Sequence, residues 1–267
     1  MCSPWAIVVS SSTVLTFFHF ILPQLCRSVY YFLKIVLGGT NICYLLLICS
    51  YPCAMTNVMN GDIGKQVFQR VADEQGILPL GCYYLGTRQV SLSEDKEIKT
   101  PADLNGINLR MPNSDAWVFL GKAMGANPTA IAFNDLYLAL QTGTVDGQDN
   151  PLPTVQSAKF YEVQKSISLT NHLVDSVWPT INVNTWNKLT DTQKGWVMEA
   201  VEAGRKACDE QNLKTEAEVQ DFLREKGLAI YEADVSAFAK HVLDTYLGDP
   251  ISETWDKDLL NQIQSMA

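Results

Sequence analysis

No aspartate or glutamate occurs before Asp62, and the only Lys or Arg residues in that stretch are Arg27 and Lys34. The chain has three histidines, His19, His172 and His241, too far apart in sequence to suggest a histidine metal site. It lacks HExxH, GxSxG, a Walker A loop and a GxGxxG turn followed by a ribose-binding acid, so the readily identified hydrolase, nucleotidase and dehydrogenase classes have no signature here. Lys and Arg total 20 against 29 Asp and Glu, a formal charge of −9, and no basic face accumulates. That excludes a nucleic-acid binder, whose affinity rests on phosphate contacts.

What is present divides in two. Residues 1–56 form an apolar, cysteine-rich head holding five of the seven cysteines. No positive charge precedes Arg27, so the head does not match a secretory signal. Trp5 to Leu22 and Ile35 to Met55 have the length of membrane spans but are interrupted by Ser, Thr, Gly, Asn and Pro. The head therefore reads either as a membrane hairpin or anchor, or as sequence foreign to the rest of the chain. The remainder carries 18 − 29 = −11.

From Gly61 onward, helix and strand signals alternate, the pattern of an α/β fold. A helix is expected around Gly64 to Asp73, then a β run from Ile77 to Tyr84. Thr100-Pro-Ala-Asp-Leu104 has the form of a helix start, and Ile107 to Met111 alternates, with Leu109 and Met111 on one face and Asn108 and Arg110 on the other. Ser114 or Asp115 can cap a helix over 116–124, and Asn134 one over 135–142. Val145 to Pro151 reads as a polar loop, Val163 to Leu169 and Val174 to Val183 as strands. Thr190-Asp-Thr-Gln193 forms a capping box that opens a proline-free stretch to Lys226, predicting one helix of about 30 residues or more. A strand over 228–231, a helix over 234–246 and a final helix from Ser252 complete the chain.

Arg110 stands out. It sits mid-strand between apolar neighbours, and a buried guanidinium cannot lose its proton, so it needs a carboxylate or phosphate partner. That partner is either a structural acid from elsewhere in the chain or an external carboxylate. Asp146 and Asp149 lack calcium-loop spacing and read as turn-stabilising residues.

The segments Gly86-Thr-Arg-Gln89, Thr100 to Pro112, Leu120 to Pro128, Leu138 to Pro151 and Lys159 to Lys165, in that order, resemble the solute-binding subunits of TRAP transporters, the DctP family. The resemblance covers residues 61–267. It implies a non-catalytic, two-lobed, periplasmic-binding-protein-like α/β fold with a long lobe-spanning helix. Such a subunit closes over a small organic acid (a sugar acid, C4-dicarboxylate or oxo-acid), needs no cofactor, and delivers its ligand to TRAP membrane permease subunits. By position, Arg110 resembles the family's carboxylate-clamping arginine, Arg88 its second arginine and Asn150 the asparagine that bonds the same ligand. Asn113, Phe133, Asp149 and Trp178 are expected to line the rest of the cleft.

The resemblance also sets the domain expectation: a ligand-binding lobe of about 86–173 and 214–267, and a remnant of the first lobe at about 57–85 and 174–213. The apolar head stands where family members carry most of that first lobe, so the lobe is expected to be largely truncated and the Val174 to Val183 strand short of partners. Periplasmic location follows from the resemblance, membrane association from the head. The alternatives are a truncated copy without ligand binding, a membrane-tethered acidic interaction module, and an enzyme using Asp146, Asp149 or His172.

Overall fold

The computed structural model describes residues 52–254, together with Asp258 and Asn261. The head up to residue 51, and most of the final helix expected from Ser252, lie outside the described residues. No helix among those described is long and apolar enough to cross a membrane.

Among the described residues two helices come first, α1 (Pro52–Asn60) and α2 (Asp62–Gln75). Helix α2 buries Ile63, Val67 and Val71 at four-residue spacing and stops at Gly76, whose φ of 67° is the left-handed value that glycine adopts without strain. The single β run expected over 77–84 is instead two strands, β1 (Ile77–Pro79) and β2 (Tyr83–Leu92). After them come β3 (Asn108–Met111), α3 (Asp115–Ala123), β4 (Asn127–Ala130), α4 (Phe133–Gln141), β5 (Gly147–Pro151) and α5 (Leu152–Ser157). The chain continues through β6 (Ser166–Val177), β7 (Thr180–Asn182), α6 (Val183–Trp186), α7 (Asp191–Glu225), β8 (Ala229–Glu232) and α8 (Val235–Gly248). The expected helix start at Thr100 is a short 3-10 turn over Pro101–Leu104, capped as the sequence requires.

Six strands form one sheet in the order β4-β3-β5-β2-β6-β8. The parallel pairs β3/β4, β3/β5 and β6/β8, combined with the antiparallel pairs β2/β5 and β2/β6, make five strands run one way and β2 the other. The Val174 to Val183 segment does not lack partners. Its first part continues β6 against β2, with Val174 opposite Thr87 and Val177 opposite Tyr83, and its last part, β7, pairs with β1.

The largest correction concerns residues 147–151. Expected as part of a polar loop, they form β5, a fully buried strand between β3 and β2. Apolar cores cover the sheet on both sides. One face presents Val90, Leu92, Leu109 and Met111 to α3 and to Phe238 and Val242 of α8, and the same cluster runs on to α2, across the expected lobe boundary near residue 85. The other presents Ile167 to Leu136 and Leu140 of α4 and to Val219 and Leu223 of α7.

Helix α7 is 35 residues long and opens with the expected Thr190/Gln193 capping box. Val219 and Leu223 are its only buried residues, so along much of its length it is anchored by polar contacts. Tyr83 Oη donates to the Val201 carbonyl (2.8 Å), Asn212 donates to the Tyr84 carbonyl (2.7 Å), and the Glu216 carboxylate accepts from the Thr87 amide (2.8 Å) and from Tyr84 Oη. These bonds fasten the helix along β2.

At Gly147 an added Cβ would lie 2.3 Å from the Ser91 carbonyl oxygen. Backbone cannot yield there without breaking the β2/β5 ladder. Gly147→Ala is therefore expected to destabilise by about 1–3 kcal/mol or more, read as a lower urea midpoint.

Candidate functional site

Because side chains alternate along a strand, β5 divides its polar residues between the two faces of the sheet. Asp149 lies on the face of Val90, Leu109 and Met111, while Gln148 and Asn150 lie on the face of Arg110. The register fixes this: Asp149 is opposite Val90, Gln148 opposite both Ser91 and Arg110, and Asn150 opposite Gln89.

On the first face, Arg88 is almost wholly buried and closed by protein groups. Its Nε donates to Asp149 Oδ2 at 2.7 Å, its Nη2 to Asp149 Oδ1 at 3.1 Å and to the Asp149 carbonyl, and its Nη1 to Asp175 at 2.5 Å. The guanidinium lies over the Trp117 ring, 4.4 Å from its centroid, a cation–π stack. His172 Nε2 approaches Asp149 Oδ2 at 3.2 Å, and its Nδ1 pairs with the Thr170 hydroxyl at 2.7 Å. Burial on its own would raise the Asp149 carboxyl, but the adjacent Arg88 charge and the His172 and Arg88 hydrogen bonds outweigh it and hold the group well below its ordinary range. Burial likewise opposes the charge on Arg88, and the two carboxylates outweigh it and raise its pKa.

On the second face stands Arg110, 1% exposed, its Nε donating to the Ile131 carbonyl at 2.9 Å. The Gln148 amide donates to Ser91 Oγ at 2.7 Å, and Asn150 donates to Gln148 Oε1. Arg110 and Asn150 lie near the carboxyl ends of β3 and β5 respectively. Phe133 begins α4 just past the end of β4, 41% exposed, its ring edge-on to Phe160 at 5.7 Å. Asn113 is exposed in the turn leaving β3. In an open sheet with parallel strands, ligands bind outside the carboxyl ends of those strands, where loops diverge and backbone groups face outward.

The fold thus brings Arg110, Asn150, Asn113 and Phe133 to one edge. It places Arg88 and Asp149 together on the opposite face, in a closed ionic cluster, and Trp178 in the apolar core, 6% exposed and edge-on to Phe68 at 5.3 Å. Sequence reasoning missed Gln148, Gln89 and Asp175 as site or supporting residues, and took His172 only as a residue of the enzyme alternative. No local signal marked them, because the run Gln148-Asp149-Asn150 is uniformly polar and its partners are distant in sequence.

Among the described residues no group of His, Cys, Asp and Glu could hold a metal ion. Burial pushes the Cys82 thiol up to about 12, so it is not poised for thiolate chemistry.

A buried arginine beside neutral amides at the carboxyl edge of a mixed α/β sheet fits the class of solute-binding proteins. The sequence profile of the family described as "Bacterial extracellular solute-binding protein, family 7" (DctP) matches residues 47–247, and the chain belongs to that family. It is a family of binding proteins and not of enzymes. The sialic acid-binding periplasmic protein SiaP of Vibrio cholerae is 34% identical over 203 residues, covering 74% of this chain and 63% of SiaP. A TRAP periplasmic solute-binding protein of Roseobacter denitrificans, solved with bound 3-deoxy-D-manno-oct-2-ulosonic acid, shares 44% identity at a TM-score of 0.78, covering 80% of this chain and 71% of that one. A second from the same organism, solved with L-galactonate, shares 31% identity at a TM-score of 0.69, covering 78% of this chain and 67% of that one. The chain spans 61% and 63% of the length of two curated relatives, a Roseobacter denitrificans solute-binding protein and SiaP.

The Arg88 cluster generates a stability prediction. Arg88→Met leaves the buried Asp149 and the partly exposed Asp175 without their cation and is expected to cost about 3–5 kcal/mol in urea unfolding. Acid weakens the same pair. The folded Asp149 carboxyl titrates below its ordinary 3.8, so its contribution is complete above that value and is lost as pH falls through the folded value. Unfolding free energy is expected to drop on acidification below about pH 4, and less steeply in Asp149→Asn.

Proposed function

We propose that this chain is the solute-binding component of a TRAP-type uptake system. It takes a small organic acid by its carboxylate at Arg110, with Asn150 beside it, and hands it to membrane permease subunits from the periplasm. The observation that carries this reading is the Arg110 guanidinium, buried at the carboxyl edge of the sheet among neutral amides. A guanidinium there recognises a carboxylate through two parallel N–H bonds and excludes an amine or a neutral sugar.

The same face favours a polyhydroxy monocarboxylate over a dicarboxylate. Arg88 is committed to Asp149 and Asp175 on the other face, so the second arginine positions β5 and does not receive a second carboxylate. Asn150, held by Gln148, keeps an amide that can both donate and accept, as a row of hydroxyls requires. The two Roseobacter neighbours were solved with a sugar acid each, which supports this class. Asn113 and Phe133 border the ligand, the first by its amide and the second by its ring face.

Isothermal titration with 3-deoxy-D-manno-oct-2-ulosonic acid, L-galactonate and succinate tests the proposal. One of the two sugar acids is expected to bind more tightly than succinate. Arg110→Met is expected to weaken that binding by about a hundredfold or more. Binding of succinate alone would overturn the substrate class, and full affinity in Arg110→Met would overturn the clamp.

A further inference from the structure

We infer that Asn171 is a specificity-determining residue of the Arg110 site, reading an oxygen on the ligand's carbon chain beyond the carboxylate; the inference rests on the organic-acid reading above. Strand β6 does not run evenly along β2. Ser168 is opposite Val90 and Leu173 is opposite Arg88, so the four residues 169–172 of β6 bow out across from Gln89 alone. The excursion starts where the β6/β8 ladder ends, at Leu169 opposite Glu232. The excursion lies across from Gln89, which is itself opposite Asn150, so it stands level with Asn150 in the sheet before β6 rejoins β2 at Leu173.

Within the excursion the side chains separate. His172 turns to Asp149 on the ionic face, whereas Asn171 meets Gln89, the residue opposite Asn150 on the Arg110 face. The contact is reciprocal: the Asn171 backbone N–H donates to Gln89 Oε1 at 3.0 Å, and Gln89 Nε2 donates to Asn171 Oδ1 at 2.6 Å and to the Thr87 carbonyl at 3.2 Å. Gln89 is buried and Asn171 exposed.

Asn171 holds a φ of 43°, in the left-handed region that costs an L residue energy and that asparagine tolerates better than most. A surface turn needing only that backbone would be met more cheaply by glycine. What asparagine adds is its side chain. With Oδ1 taken by Gln89, the Nδ2 group keeps two N–H donors that go to no other described residue, fixed in direction by a buried glutamine. A rigid donor pair at the edge of a carboxylate site recognises hydroxyl or keto oxygens, and rejects a bare alkyl chain that would leave the donors unmet. Backbone strain of this kind persists where the side chain it orients is used.

Asn171→Gly tests this in the full chain, because glycine keeps the left-handed backbone while deleting the amide. The probe is whichever of 3-deoxy-D-manno-oct-2-ulosonic acid, L-galactonate and D-erythronate the wild type binds most tightly by isothermal titration. Asn171→Gly is expected to weaken that probe about tenfold or more, with a urea midpoint equal to or above the wild type. Asn171→Asp, which exchanges donors for a negative charge, is expected to weaken it further. Unchanged affinity in Asn171→Gly overturns the inference and leaves the Arg110 reading intact, and loss of the urea midpoint along with affinity overturns it in favour of a scaffold role. No binding of any of the three by the wild type overturns both.

Discussion

The structure depends on the ion pair between Arg88 and Asp149. A strand of sequence Gly-Gln-Asp-Asn-Pro has no apolar side chain to drive it into a sheet, yet β5 is buried throughout and lies between β3 and β2. Burying a carboxylate there is unfavourable unless it is paired and hydrogen-bonded. Arg88 on the neighbouring strand supplies the charge, Asp175 and Trp117 hold the guanidinium, and His172 completes the shell. With Asp149 fixed, alternation leaves Gln148 and Asn150 no freedom: both must face the side of the sheet from which Arg110 projects.

The two arginines therefore have separate roles. Arg88 is neutralised by its own chain and sets the position of a strand. Arg110 stands beside the amides of β5 near the carboxyl end of β3 and is, in the function proposed above, the cation that meets the ligand. One polar strand, facing both ways, couples the stability of the sheet to the composition of the candidate site, so a substitution on the ionic face is expected to reach that site through β5.

Much of this was legible in the sequence. The alternation at Ile107 to Met111 put Arg110 opposite the apolar face, and Ser114 and Thr190 with Gln193 mark helix starts that the fold uses. What could not be read was β5, because its burial is satisfied by partners distant in sequence: Arg88 is 61 residues from Asp149 and Ser91 is 57 from Gln148. Read locally, such a segment is a loop. The same limit hid the break in β6, where Gln89 and Asn171, 82 residues apart, complete each other's hydrogen bonds. Trp178 follows the converse rule, an aromatic near site motifs that the apolar core claims instead.

The division of labour between the arginines can be observed directly through their side-chain Nε–H resonances. In a 1H–15N spectrum of the protein titrated with L-galactonate or 3-deoxy-D-manno-oct-2-ulosonic acid, assigned by Arg88→Lys and Arg110→Lys, the Arg110 resonance is predicted to shift with ligand while the Arg88 resonance stays in place. A shift of Arg88 with Arg110 unmoved would contradict the account, because it would make Arg88 the ligand's partner and Arg110 the structural one.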